Sequence, residues 1–96
     1  MPSAVTDNTA QHRFEMEVQG HRAVAVYARK PGVVTILHTE VPPELGGKGV
    51  GSALIKGALD LIRAKGERVV PRCAFTAAYI EKHPEYRDLV APEDGR

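Results

Sequence analysis

Ninety-six residues, 43% apolar and 26% charged, leave room for one domain and one modest core, since a chain this short buries roughly 60–65% of the surface it exposes when unfolded. Thirteen basic against twelve acidic side chains give a net charge of +1, without the clustered excess that phosphate-driven nucleic-acid binding needs. Aromatic residues, at 5%, are too sparse for a base-stacking platform. The single cysteine, Cys73, excludes an internal disulfide framework and a cysteine-built zinc site. No metal is expected, and the reducing cytoplasm is the expected location. No run of about 18 apolar residues predicts a membrane span, and residues 1–11 lack the charged-then-apolar order of a secretory signal.

Residues 1–11 read as a loose polar tail, residues 12–91 as the one domain, and residues 92–96 as a second tail. Phe14, Met16 and Val18 alternate with Glu15, Glu17 and Gln19, the period of a strand with one wet face. Gly20-His21 predicts a tight turn, and Arg22 to Arg29 a second strand antiparallel to the first. Pro31-Gly32 suits the centre of a type II turn. The β-branched run Val33 to Thr39 reads as a central strand, apolar on both faces, until Pro42-Pro43 stops its pairing.

After the glycine cluster Gly46-Gly47-Lys48-Gly49-Val50-Gly51-Ser52, a helix is predicted with Val50, Leu54, Ala58, Leu61 and Ile62 on one face and Gly66 as its stop. Arg68 to Val70 predicts a fourth strand, ended by Pro71. Ala74 to His83 predicts a shorter helix, with Phe75, Ala78, Tyr79 and Lys82 at three- and four-residue spacings and Pro84 as terminator. The order is β-β-β-α-β-α. The class is α/β, a mixed sheet whose N-terminal strands are antiparallel and whose last two strands are joined in parallel by a right-handed crossover.

Glycine permits positive φ and close approach of another group to the backbone. Free amides at the first turn of a helix, with the positive end of its dipole, form an anion site. A phosphate or pyrophosphate is the natural occupant; a ligand-free strand-to-helix connection is the plainer alternative. The P-loop pattern fails, because Lys48 is followed by Gly49 rather than Ser or Thr. A dinucleotide fingerprint fails at Ser52, and the chain is too short for a doubly wound sheet. From Gly46 to Arg72, six cations face only Asp60 and Glu67, which agrees with an anionic ligand. Lys56 and Arg63 read equally as a solvated helix face.

Gly49-x-Gly51, opening a helix after a proline-broken strand, resembles the pyrophosphate loop of the GNAT acetyltransferase superfamily. His38-Thr39-Glu40-Val41-Pro42, Val70-Pro71-x-Cys73, Tyr79-Ile80 and His83-Pro84-Glu85-Tyr86 extend that resemblance. They point to its short single-domain members, the minimal N-acetyltransferases. The likeness runs from about residue 13 to about residue 90. One position departs: Gly46 stands where the superfamily places Gln or Arg, so one side-chain phosphate contact is missing, with Lys48 nearby.

The resemblance implies a GNAT-like fold and acetyl-coenzyme A as donor. It sets the backbone from Thr39 to Val41 against the cofactor. The amides of Gly47, Lys48, Gly49, Val50, Gly51 and Ser52 then take the pyrophosphate, and Tyr79 lines the channel. Acyl transfer to an amine requires a neutral amine, oxyanion stabilisation and a proton for the departing thiolate. Cys73, before a helix and beside Arg72, is the candidate nucleophile or acid; a small buried hydrophobe is the alternative. His38 and Glu40, two residues apart on a strand, share a face and are candidate proton relays. His83 reads as a cap of the second helix. The partners expected are acetyl-coenzyme A and an exposed amine, on a monomer or weak homodimer. A coenzyme-binding module without catalysis is the second reading.

Overall fold

The computed structural model describes residues 5–47 and 49–91. Its sheet has five strands in the order β1-β2-β3-β4-β5: β1 (Thr6–Asn8), β2 (Arg13–Val18), β3 (His21–Lys30), β4 (Val33–Glu40) and β5 (Arg68–Pro71). The first four are antiparallel neighbours, and β5 pairs with β4 in parallel. Helix α1 (Val50–Ala64) makes that crossover, and α2 (Ala74–Lys82) follows β5. A 3-10 turn over Pro43–Leu45 precedes the glycine loop, and another over Pro84–Leu89 follows α2. Among the described residues, no helix is long and apolar enough to cross a membrane.

The expected tail is partly a strand. Residues 1–4 and 92–96 lie outside the described residues, but Thr6–Asn8 forms an edge strand against Arg13, Phe14 and Glu15. Its sequence is polar, and its anchor is non-local. The Asp7 carboxylate accepts hydrogen bonds from the Tyr27 hydroxyl, from Arg29 at 2.9 Å and from Lys65 at 3.2 Å.

The first hairpin turns one residue earlier than expected. Val18 pairs with His21, so Gln19 and Gly20 form the loop, with φ of 53° and 79°. Positive φ at both positions is the type I′ signature and matches the strand twist. The second hairpin turns at Pro31-Gly32, with Gly32 at φ 79°. Gly66, at φ 70°, ends α1 with backbone bonds from Gly66 to Arg63 and from Glu67 to Ile62, the Schellman pattern.

One face of the sheet is covered. Phe14, Met16, Ala25, Tyr27, Val34, Ile36 and Val69 pack against Leu54, Ile55, Ala58, Leu59 and Ile62 of α1. Ile55 and Leu59 join the buried stripe, whereas Leu61 is only half-buried. Thr76, Tyr79 and Ile80 of α2, with Tyr86 and Leu89, extend the buried set. The opposite face carries Arg13, Glu15, Glu17, Arg22, His38 and Glu40, set there by strand pairing.

β4 is therefore not buried on both faces. Val34 and Ile36 are fully buried, but Leu37 is 45% exposed. Val26 pairs with His38 and Tyr27 with Ile36, so Leu37 is an extra residue, a β-bulge. The parallel pairing of β4 with β5 stops at the same place, at Ile36 and Pro71. Beyond it the strands are joined by one backbone bond, from the Cys73 amide to the Ile36 carbonyl at 3.0 Å.

Candidate functional site

The glycine loop folds as an open cradle. Gly47 and Gly49 have φ of 77° and 73°, a region that costs other residues roughly 1–2 kcal/mol. Gly49 is the N-cap of α1, and no side chain caps the helix there. The amides of Val50, Gly51 and Ser52 thus leave the first turn without an intrahelical acceptor. Val50, Gly51 and Ser52 line a cavity of about 280 Å³ together with Val41, Leu45, Gly46, Gly47, Gly49 and Phe75. A helix start with no side-chain cap, the positive end of its dipole and no carboxylate among the lining residues fit a diphosphate.

The cavity brings together Val41, Gly47, Gly49, Val50, Gly51 and Ser52 of the expected site. Lys48 lies outside the described residues. Of the cations in the surrounding segment, Lys56 pairs with Asp60, Arg63 with Asp88 and Lys65 with Asp7. These three are committed to structural pairs.

Thr39 is not a wall of that cavity. After the Leu37 bulge, its side chain shares the covered face with Ala25. There its Oγ1 lies 3.4 Å from Cys73 Sγ, in the gap left where β4 and β5 cease to pair. Cys73 is half-buried and is the N-cap of α2. Burial pushes its thiol pKa up. Hydrogen bonds from the Thr39 hydroxyl and from the Thr76 and Phe75 amides outweigh that and hold it below the ordinary thiol value of 9.0. The Thr76 hydroxyl is fully buried and has no hydrogen bond of ordinary length among the described residues; it adds a weaker pull on the same sulfur. These contacts shift the sulfur toward thiolate, the reactive form.

His38 and Glu40 do share a face, with His38 Nε2 3.0 Å from Glu40 Oε2. It is the uncovered face, opposite the one that carries Thr39. The structure thus joins the two relay candidates to each other and leaves them across the sheet from the thiol. Both are more than half exposed, at 54% and 68% of their side chains.

Tyr79 is buried, and its ring stacks on His83 with centroids 3.9 Å apart and planes 15° apart. His83 Nδ1 lies 2.9 Å from the Tyr79 carbonyl oxygen, the capping bond expected of it. Phe75, Ala78 and Lys82 form the outward face of α2. Their spacing is visible in the sequence, but spacing alone does not say whether that stripe meets the core or a cavity. Here Thr76 and Ile80 take the core side. Phe75 is left 44% exposed, its ring against Gly51, where an added Cβ would stand 2.8 Å away.

Residues 13–89 match the family model of the GCN5-related N-acetyltransferases. Protein NATD1 of Mus musculus is 27% identical over 96 aligned positions, spanning 95% of this chain and 87% of that protein. Protein NATD1 of Homo sapiens is also 27% identical, over 95% and 85% of the two chains. A GCN5-like protein from Staphylococcus aureus, solved by NMR in solution, superposes with a TM-score of 0.68 at 24% identity. The superposition covers 96% of this chain and 91% of that one, and the two share a fold.

Proposed function

The chain belongs to the GCN5-related N-acetyltransferase family, and on that premise we propose that it moves an acetyl group from acetyl-coenzyme A to an exposed amine. The observation that carries this reading is the juxtaposition of two sites. An uncapped helix start, shaped for a diphosphate, opens beside Phe75. Cys73, two residues before that phenylalanine, holds a thiol of lowered pKa. Acetyl-coenzyme A supplies an activated thioester and the diphosphate that anchors it.

The roles of the chain's own groups follow. The amides of Val50, Gly51 and Ser52 bind the diphosphate, and Gly47 and Gly49 keep the approach clear of Cβ atoms. Cys73, as thiolate, accepts the acetyl group on sulfur, forming a thioester as the donor's carbon–sulfur bond breaks. The acceptor amine then attacks that thioester, loses its proton to solvent or to an outlying base, and returns the Cys73 thiolate. The Thr39 hydroxyl donates to the sulfur whenever it is anionic. His38 and Glu40 contribute to deprotonating an acceptor that arrives across the uncovered sheet face. Gln19-Gly20, a two-residue loop, leaves that face without a helix of its own, so an exposed amine on a small molecule or peptide suits it better than an enclosed metabolite.

The placement of His38 and Glu40 away from the thiol also supports a second reading, a module that holds coenzyme A without turnover. Incubation with acetyl-coenzyme A, alone and with polyamines, amino acids and lysine peptides, separates the two when free thiol is followed. The enzyme releases thiol with at least one acceptor and carries a transient acetyl group on Cys73 by mass spectrometry. The module binds and releases none. A protein that does not bind acetyl-coenzyme A at all is neither.

A further inference from the structure

One buried polar group beside the thiol has no use in the fold itself. The Thr76 side chain is fully buried, yet its hydroxyl has no hydrogen bond of ordinary length among the described residues. A threonine in a helix commonly donates to a carbonyl one turn back. Here the Cys73 carbonyl accepts the Ala77 amide at 3.0 Å, and Thr76 Oγ1 bonds neither to it nor to another carbonyl among the described residues. A buried hydroxyl left unpaired is costly, so its place in the core needs a reason.

The acceptor within its reach is the Cys73 sulfur. Cys73 is the N-cap of α2, and Thr76 follows three residues later on the same side of the helix. The Cys73 backbone is held at both ends: its amide donates to the Ile36 carbonyl at 3.0 Å, and its carbonyl accepts from Ala77. From β4, Thr39 Oγ1 stands 3.4 Å from the same sulfur, and either atom of that pair can be the donor. Burial raises the Cys73 pKa, and Thr39, the first-turn amides of Thr76 and Phe75 and then the Thr76 hydroxyl lower it. A thiol is a weak acceptor, whereas an ionised one is strong.

We propose that Thr76 is a further residue of the transfer reaction: its buried hydroxyl is kept for the anionic sulfur of Cys73 and donates to it only in that state. The inference rests on the reading of Cys73 as the acetyl carrier. Acetylation neutralises the sulfur and leaves the hydroxyl unpaired again. When the amine attacks the thioester, the electron pair of the carbon–sulfur bond returns to Cys73, the proton of the amine goes to solvent, and Thr76 regains its acceptor. Thr76 thus favours the ionised nucleophile before the acetyl group arrives and its departure as a thiolate afterwards. Thr39 meets the sulfur in either state; Thr76 follows the charge.

Alkylation of Cys73 by iodoacetamide, followed against pH, tests the contact without any acetyl donor. Thr76→Val removes the hydroxyl and keeps the shape. Its acid limb should move to higher pH by the equivalent of a roughly three- to tenfold loss of ionisation, the scale of one net hydrogen bond. Thr76→Ser keeps the hydroxyl and should keep the wild-type limb. Arg72, the charged neighbour in the chain, is common to all three proteins, so its field cancels. In mild acid, where the sulfur is protonated, Thr76→Val should melt at or above the wild-type temperature, because an unpaired buried hydroxyl has gone. An unmoved limb in Thr76→Val overturns the inference. A lowered melting temperature with the same limb in the Val and Ser variants also overturns it, because the effect is then on packing. Should Thr76→Val fail to fold, Thr76→Ala carries the same comparison of limbs. Protein loaded from acetyl-coenzyme A and chased with a lysine peptide gives the second readout: by mass spectrometry, Thr76→Val should lose its acetyl group severalfold more slowly than the wild type. Absence of acetyl on wild-type Cys73 removes the acetyl-carrier reading and the transfer role of Thr76 with it, while the alkylation limb still decides the contact.

Discussion

Thr39 Oγ1 and Cys73 Sγ stand 3.4 Å apart across the gap where β4 and β5 stop pairing. Thr39 reaches that position because the Leu37 bulge changes which β4 side chains face the helices. With unbroken alternation, Thr39 would lie on the uncovered face and His38 on the covered one. One inserted residue thus decides which of the two meets the thiol.

Cys73→Ala should lower turnover at least a hundredfold and leave the dissociation constant for coenzyme A within threefold, because the diphosphate cradle is a separate set of backbone groups. Steady-state kinetics together with calorimetry measures both. Unchanged turnover removes Cys73 from the chemistry.

The pH dependence follows from the same pair. A thiol whose pKa is held below its ordinary 9.0 ionises at lower pH than a free thiol, so the acid limb of kcat/KM should lie below that of an unperturbed thiol, with activity falling on acidification. Thr39→Val removes the donor while keeping the shape. Its acid limb should move to higher pH, with the plateau value little changed. An unshifted limb means that Thr39 does not tune the sulfur.

Asp7→Asn should cost roughly 1–3 kcal/mol by urea denaturation at neutral pH, the range for breaking a partly buried charged hydrogen bond. Burial raises the Asp7 pKa, and hydrogen bonds from Tyr27, Arg29 and Lys65 more than offset it, leaving the carboxyl below its ordinary 3.8. A lowered folded-state pKa stabilises the fold above the unfolded value and is lost as pH falls through the folded one. The difference between wild type and variant should therefore shrink below about pH 4. A constant difference down to pH 2 would assign it to packing alone.

Gly51→Ala puts a methyl group 2.8 Å from the tip of the Phe75 ring. That ring is the half-exposed end of a rotatable side chain, so it should swing aside at little cost, within about 1 kcal/mol of wild-type stability. The swing alters the glycine-loop cavity that Phe75 and Gly51 line, and KM for acetyl-coenzyme A should rise severalfold. A large loss of stability with unchanged KM would show the ring to be structural.

What was legible in the sequence is what local chemistry decides. Alternation in Phe14 to Val18, the turn at Pro31-Gly32, the stop at Gly66 and the glycine loop each carry their own signal within a few residues. Thr6–Asn8 was not legible, because its place in the sheet depends on Tyr27, Arg29 and Lys65, far along the chain. The bulge at Leu37 was hidden for the same reason: a β-branched apolar run reads alike with or without an unpaired residue. The Phe75, Ala78 and Lys82 stripe was visible as spacing, but its side of the helix was set by Thr76 and Ile80 packing inward.

The central claim is that the first turn of α1 holds the donor's diphosphate. Titrating uniformly ¹⁵N-labelled protein with coenzyme A and following backbone amide shifts tests it most directly. Saturable shifts largest at Val50, Gly51 and Ser52 are predicted, and lost when the titrant is pantetheine without phosphate. Shifts centred elsewhere, or none at saturating coenzyme, would contradict it.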